Sequence, residues 1–397
     1  MKENRRDRNM TTYQRLGDYI REVNVRNRDL KVTNLLGLSV SKEFMPSIAN
    51  TIGTDMSTYK VVERNQLVYI ADTSRRGDKI AIGLLDRYDN AIVSQAYTVF
   101  EVIDHERLLP EFLMMWFRRP EFDRYARFHS HGSAREIFDW DELCDVTLPI
   151  PSITRQREIV AEYETLTSRI RLNNQMIQHL ETTAQALYHK TFVDNIDKEN
   201  LPEGWRMGTL GEICSKIGSG ATPKGGKGSY GKTGVSLIRS MNVFDMNFCY
   251  EELAHISDKQ AALLDGVTVI EKDILFNITG ASVARCCMVP KDVLPARVNQ
   301  HVMIIRSKED FMQYYILCVL CSKDAKRSLL GMSQSGSTRE AITKSEIESF
   351  EIMIPPKGIL KDFTNKTDTI FSHVSIQIQE NEKLTESQSL LLAKMGQ

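Results

Sequence analysis

At 397 residues, 42% hydrophobic and 26% charged, the chain has the make-up of a globular protein of two or three domains, each large enough for its own core. Its 51 Lys and Arg against 52 Asp and Glu leave a net charge of -1, which argues against a simple high-affinity nucleic-acid binder with a basic excess. Seven scattered cysteines, an odd number, fit free thiols in a reducing cytoplasm better than a disulfide framework. The start, Met1-Lys2-Glu3-Asn4-Arg5-Arg6-Asp7-Arg8, lacks the apolar core of a signal peptide. The longest apolar run, around Tyr314 to Cys321, is too short to span a bilayer. A cytoplasmic protein with no membrane contact is expected.

Along the chain, the first strand-like runs are Leu67–Ile70, Lys79–Ile82 and Ile92–Val102. A short apolar helix, Glu111–Arg118, precedes the loop Phe128-His129-Ser130-His131 and the motif Gly132-Ser133-Ala134-Arg135-Glu136. Leu148-Pro149-Ile150-Pro151 then opens a stretch, 153–192, with no proline or glycine. There Ile159, Tyr163, Leu166, Ile170, Asn173, Ile177, Leu180, Ala184 and Leu187 alternate by four and three, the heptad spacing of a coiled coil. A polar linker, Asp194 to Asn200, leads to Leu201-Pro202-Glu203-Gly204-Trp205.

From there the chain repeats itself at an offset of about 204 residues, a period that marks duplication of a whole domain and not a solenoid. Leu210-Gly211-Glu212 echoes Leu16-Gly17-Asp18, and Ala296-Arg297-Val298-Asn299-Gln300 echoes Ala91-Ile92-Val93-Ser94-Gln95. Gly336-Ser337-Thr338-Arg339-Glu340 and Ile352-Met353-Ile354-Pro355 repeat the motif and the proline cluster. Strands are predicted at Val235–Ile238, Val267–Ile270 and Val302–Ile305, and helices at Phe311–Cys321 and 359–394. Gln377 falls at the heptad site of Asn173, and a buried polar pair at such a site typically fixes register at some cost in stability. The two long helices are therefore expected to pack on each other as a coiled coil. From Ile213 to Phe244 there are five basic residues and no acidic one, a local patch able to meet phosphates on a neutral chain.

Motifs for chemistry fail on context. Gly226-Lys227-Gly228-Ser229-Tyr230-Gly231-Lys232-Thr233 matches the P-loop pattern, but polar glycine-rich sequence precedes it and a strand-like run follows, where a helix is required. Cys318-x-x-Cys321 has no second pair at zinc spacing, and Cys286-Cys287 is too distant in sequence to complete a signature. These read as buried structural thiols, and His129-x-His131 as a loop feature. Neither a Gly-x-Ser-x-Gly elbow nor the Asn-Pro-Pro-Tyr/Phe motif of amino-methyltransferases is found, so no catalytic residues, metal ligands or cofactor are assigned.

Several stretches resemble the specificity subunit of Type I restriction-modification systems. They are Leu148-Pro149-Ile150-Pro151-Ser152 with Gln156-Arg157-Glu158-Ile159, Leu201-Pro202-Glu203-Gly204-Trp205 with Leu210-Gly211-Glu212, and Gly218-Ser219-Gly220-Ala221-Thr222-Pro223 with Tyr230 and Leu237-Ile238-Arg239. Asn277-Ile278-Thr279-Gly280-Ala281-Ser282-Val283 is a further one. The likeness covers essentially the whole chain. It departs at Tyr13-Gln14-Arg15-Leu16, which lacks the Leu-Pro-x-Gly-Trp opening, and at Pro355-Pro356-Lys357-Gly358-Ile359, which lacks Glu-Gln. The resemblance implies duplicated α/β (α+β) target recognition domains, each followed by a long helix, with the two helices forming an antiparallel coiled coil. It implies recognition domains at 1–150 and 201–354, a central spacer helix and linker at 151–200 and a distal helix at 355–397. Such a subunit does no chemistry. Its partners would be double-stranded DNA, two methyltransferase subunits that methylate adenines and, through them, ATP-driven restriction subunits.

Candidate phosphate contacts are Lys224, Lys227, Lys232 and Arg239, with Tyr230 beside them, and Arg75, Arg76 and Lys79 in the first repeat. Base readers need paired donors and acceptors. Ser94, Gln95 and Tyr97 stand at places matching Asn299, Gln300 and His301, and Asn277, Thr279, Ser282 and Arg285 are further candidates. The competing reading is a coiled-coil scaffold that docks proteins without reading DNA. A fragment of a single-chain restriction-modification enzyme is a third.

Overall fold

A computed structural model describes residues 13–47, 53–73, 79–132, 136–194, 196–231, 233–335 and 341–396. The Gly-Ser-x-Arg-Glu motifs, apart from Gly132 and Glu136, lie outside the described residues, as do Met1–Arg8 and Asn195. Two compact units emerge, 1–170 with 383–397, and 171–382.

The first unit is built on an antiparallel sheet of β1 (Ile20–Val23), β2 (Leu67–Tyr69), β3 (Ile82–Leu84) and β4 (Thr98–Val102), in the order β1-β4-β2-β3. Alternate residues point to opposite faces of a sheet, and here both faces are covered. Leu67, Tyr69, Phe100 and Val102 join the core around α1 (Pro110–Arg118), while Val68 and Val99 join a second cluster with Leu36, Leu38 and Val62. The second unit has β5 (Cys214–Ser219), β6 (Ile274–Asn277), β7 (Cys286–Met288) and β8 (Val302–Ser307) in the order β5-β8-β6-β7. Phe276, Met303 and Ile305 face α3 (Gln313–Cys321), and Leu275, Val302 and Ile304 face the opposite cluster. The sheet order is that of the first unit, so the sequence repeat is a repeat of fold. A further sheet pairs Val235–Ile238 in parallel with Ala296–Val298.

Several predicted strands are shorter or divided. Ile92–Val102 is broken by a turn at Ser94–Tyr97 into Asn90–Val93 and β4, the N–H of Tyr97 donating to the carbonyl of Ser94 at 3.0 Å. Lys79–Ile82 contributes only Ile82 to β3, and Val267–Ile270 only Thr268–Val269. Sequence reading missed β6 and β7, which are buried on both faces and show no clean alternation, and β5, an edge strand whose alternation is broken by a register shift between Cys214 and Lys216. The long helices are α2 (Ile153–Phe192), as expected, and α4 (Lys357–Lys394), two residues longer at its start than expected.

Each unit is closed by its own ends. Tyr13–Arg15 pairs antiparallel with Thr147–Pro149, and Arg206–Thr209 with Glu351–Ile354, immediately before the long helices begin. Beside each closure the Leu-Gly-Asp/Glu motif meets a short helix. A Cβ on Gly17 would lie 2.9 Å from Cβ of Cys144, and one on Gly211 would lie 2.9 Å from the carbonyl oxygen of Glu348. Only glycine admits approaches this close, which accounts for the recurrence of that residue.

A buried amide braces the start of the first helix. Gln156, fully buried, accepts the N–H of Leu109 at 2.9 Å and donates to the carbonyls of Arg107 (2.8 Å) and Pro151 (2.9 Å). In the second repeat the residue types trade places. Leu360, also buried, stands where Gln156 stood, and Gln313 stands where Leu109 stood. Gln313 accepts the N–H of Ser307 and donates to the carbonyl of Ile305, both at 3.0 Å.

All the heptad positions of α2, and the residues at the same offset in α4, are buried or half-buried. Within the first unit Leu392 and Met395 pack into the core that holds Val160 and Tyr163. Within the second, Phe192 lies 4.9 Å from Phe363 and 4.7 Å from Tyr315, ring centre to ring centre. Asn173 donates to Oδ1 of Asn381 and to Glu380, both at 3.0 Å. The expected Asn173–Gln377 pairing is thus replaced by one with Asn381, because residues at the same offset need not face each other across two helices.

Gln156→Leu strands three main-chain groups, so unfolding should cost about 2–4 kcal/mol less than in the parent. Leu360→Gln buries an amide without partners and should cost about 1–3 kcal/mol. Denaturant melts of both variants check this, and an effect within experimental error for either would contradict the exchange of roles.

Candidate nucleic-acid interface

In the second unit, three loops converge on the turn Asn299–His301, which joins Ala296–Val298 to β8. The N–H of Asn299 donates to the carbonyl of Ile238 at 3.0 Å, and its buried Oδ1 accepts the N–H of His301 at 3.0 Å. This locks the turn and leaves Gln300 exposed at its tip. Gln300 accepts the hydroxyl of Thr222 on Oε1 and gives its Nε2–H to Nε2 of His301 at 3.1 Å. With Nε2 accepting, the imidazole carries its proton on Nδ1 and donates it to Oγ1 of Thr279 at 2.8 Å. The loop 218–223, the segment at Thr279 and the turn therefore share one hydrogen-bonded array. Gly220 makes it possible, since a Cβ there would sit 1.8 Å from the carbonyl oxygen of Val298.

The remaining candidates divide by surroundings. Lys224 is exposed on the loop beside the array, and its carbonyl accepts from Gln260 at 3.4 Å. Arg285 is half-buried with its guanidinium 5.0 Å from the ring centre of Phe244, itself 42% exposed. This cation–π contact presents a flat aromatic face at the surface. Arg239 turns inward: it lies 5.7 Å from the ring centre of Tyr230 and donates to the main-chain carbonyl of Glu252. Asn277 is fully buried, donating to the carbonyls of Ser240 (2.8 Å) and Val243 (3.3 Å), which gives it a structural task in holding that turn. Ser282 accepts the N–H of Arg285 on its carbonyl at 3.2 Å. Lys232 and the side chain of Lys227 lie outside the described residues.

In the first unit, Ser94, Gln95 and Tyr97 form the turn at the matching place, between Asn90–Val93 and β4. Ser94 Oγ accepts the N–H of Ala96 at 3.3 Å, Gln95 is exposed, and Tyr97 packs on the cluster around Leu36. Lys79 is exposed at the entry to β3, and Arg75 and Arg76 lie outside the described residues. Thr222 and Phe244 were not singled out from sequence. The glycine-rich loop signalled Thr222, whereas nothing local marked Phe244. His129 and His131 both lean on Glu142, at 3.0 and 3.3 Å, as a loop clamp. Among its described residues the P-loop-like stretch forms a short 3₁₀ turn, and the strand Val235–Ile238 follows it where a P-loop would have a helix.

Two copies of one α/β unit, each presenting a polar turn, with a long helix following each closure, define a protein made by tandem duplication. A family model described as the Type I restriction modification DNA specificity domain matches residues 202–392. The type I restriction enzyme MjaIX specificity subunit of Methanocaldococcus jannaschii is 26% identical, over 74% of this chain and 70% of that protein. The HindI specificity subunit of Haemophilus influenzae is 22% identical, over 85% and 86%. The crystal structure of a Type-I restriction-modification system S subunit from M. genitalium shares the fold, with a TM-score of 0.57, 12% identity and coverage of 97% and 96%. In sequence and in fold the chain is similar to the specificity subunits of type I restriction-modification systems. Among the described residues no helix is long and apolar enough to cross a membrane.

Gly220→Ala drives a methyl group into a carbonyl and should destabilise the second unit by about 1–3 kcal/mol. Hydrogen exchange should report lost protection in β8 and at Val298–His301, with β2 and β4 of the first unit unchanged. Full protection at Val302 in the variant would contradict the packing described.

Proposed function

We propose that this chain is the DNA-sequence-recognition subunit of a type I restriction-modification complex. It reads a split site with two recognition domains and performs no chemistry itself. The observation that carries this is the matched pair of turns, Ser94–Tyr97 and Asn299–His301, at the same place in a duplicated fold. Each offers an exposed glutamine at its tip, and glutamine can pair two ways with adenine in the major groove. Gln300 with Thr222, Thr279 and His301 would read one half-site, and Gln95 with Ser94 the other. Lys224, Lys227 and Lys232 would meet phosphates in the second domain, and Lys79, Arg75 and Arg76 in the first. Arg285 on Phe244 would serve the backbone or a base face. Arg239, Tyr230 and Asn277 would support the loops from within.

The long helices would form an antiparallel coiled coil that spaces the two readers. Support comes from the heptad burial and from contacts that run in opposite senses, Thr167 with Gln388 and Phe192 with Phe363. A helix rises about 1.5 Å per residue, so 40 residues reach roughly 60 Å, more than one turn of DNA at about 34 Å. The recognition domains would be 1–150 and 201–354, with 151–200 and 355–397 as spacers. Outward faces of the helices would hold two methyltransferase subunits and, through them, restriction subunits, in the cytoplasm. Near-neutral charge fits a reader that shares its grip on DNA with partners.

The reading is tested by selecting duplexes from a random pool with the complex assembled on the parent, Gln95→Ala and Gln300→Ala chains. Each substitution should relax one half-site only, by about 1–3 kcal/mol at the affected base pair. Changes in both halves, or an unselected pool with the parent, would refute two-domain reading and favour a scaffold. Lys224→Ala should weaken all sequences alike and lower the salt slope by about 0.9, and an unchanged slope would make it solvated surface. Inserting one heptad in each long helix should add about 10 Å, roughly three base pairs, to the gap between half-sites. An active complex with the original gap would show that the helices do not set the distance.

A further inference from the structure

Sequence spacing left Cys286 and Cys321 unrelated, but the fold of the second unit brings them together. Cys286 lies on β7 and Cys321 is the last residue of α3, with the two Sγ atoms 3.4 Å apart. Asp245 joins them from the turn after Phe244. Its Oδ1 accepts the N–H of Cys286 at 3.2 Å, and one ligand atom from each of the three residues lies within 4.8 Å of the others. The N–H of Met246 donates to the carbonyl of Cys286 at 2.8 Å, so the turn is pinned against the strand by main chain as well. Cys286 is fully buried, whereas the side chain of Asp245 is about half exposed, which leaves one side of the cluster open to water.

We propose that Cys286, Cys321 and Asp245 form a binding site for a soft divalent cation of the zinc class, with water completing the coordination. Two sulfurs and a carboxylate oxygen are a donor set that zinc takes up in tetrahedral geometry. Metal–sulfur bonds of about 2.3 Å put two sulfurs about 3.8 Å apart, so the pair needs to open by only a few tenths of an ångström. The space already holds positive charge. The ammonium of Lys326, largely buried, lies on the Asp245 carboxylate and on the carbonyl of Ala284. An entering cation takes over that role at Asp245, releases the two thiol protons to solvent and displaces the ammonium. Metal would clip the 244–247 turn to β7 and to the end of α3, fastening Phe244 and Arg285, which flank Asp245 and Cys286 in sequence.

The test uses the full chain, stripped with a chelator and kept reduced with a phosphine, titrated with Co²⁺ alone. A thiolate-to-cobalt charge-transfer band should grow to saturation at a single equivalent, vanish on adding Zn²⁺, and accompany a rise in melting temperature. Cys286→Ser and Cys321→Ser should each abolish the band, while Cys144→Ser and Cys249→Ser keep it. Asp245→Asn should weaken cobalt binding roughly tenfold or more, and Lys326→Met should strengthen it by removing the competing charge. Circular dichroism establishes that each variant is folded. A folded parent without the band, or a band that survives in Cys286→Ser, overturns the proposal. So does a chain that loses two titratable thiols in air yet gives no band, since that pair would be an oxidisable dithiol and not a metal site. None of these readouts depends on DNA binding, so failure here leaves the recognition reading untouched.

Discussion

The structure depends on the pairing of each unit's first strand with the strand that precedes its long helix. Tyr13–Arg15 on Thr147–Pro149, and Arg206–Thr209 on Glu351–Ile354, bring together chain segments more than a hundred residues apart. Closing so long a loop costs entropy that grows only slowly with length, and the clusters on both faces of the central sheets offset it. Once the ends are paired, the start of the helix is no longer free: α2 and α4 leave from a fixed point in a fixed direction. Helices of this length hold their shape through tertiary packing more than through intrinsic propensity, and both carry their seams into a packed core at the closure.

The duplication preserved this constraint while exchanging the residues that meet it. Gly17 and Gly211 are retained because a side chain at either place would strike the short helix opposite. The bracing amide, by contrast, moved from one partner to the other, from Gln156 beside Leu109 to Gln313 beside Leu360. Both solutions satisfy main-chain groups at the junction of sheet and helix, which is what burial demands. A polar group was needed at that junction, and which element supplied it was free to change.

The candidate reading surface inherits its rigidity from the same sheets. Ser94–Tyr97 and Asn299–His301 are short turns between strands, so their tips are held by ladders on both sides. In the second unit the array from Thr222 through Gln300 and His301 to Thr279 adds order among three loops far apart in sequence. Arg239 and Asn277, polar and adjacent in space to this surface, are spent on holding it up. Position in a motif does not tell a supporting side chain from a presenting one, since the difference lies in which carbonyls happen to be within reach.

The duplication, the long helices and the correspondence of Ser94, Gln95 and Tyr97 with Asn299, Gln300 and His301 were legible in the residues, because period and spacing are properties of a chain before it folds, whereas the turn at Ser94–Tyr97 lay hidden inside a run that reads as one strand. Glycine at positions 17 and 211 was visible as a repeat but not as a steric need. The strands β6 and β7 were hidden because residues buried on both faces lose the alternation that betrays a half-exposed strand, and β5 because a register shift breaks its alternation. The sequence by itself determined that there would be two like units with a long helix after each, since local pattern and repetition suffice for that. Only the tertiary structure decided that Asn173 meets Asn381, that Gln156 and Gln313 do one task, and that Cys286, Cys321 and Asp245 share a corner. Those are contacts between segments whose separation along the chain carries no information about their distance in space.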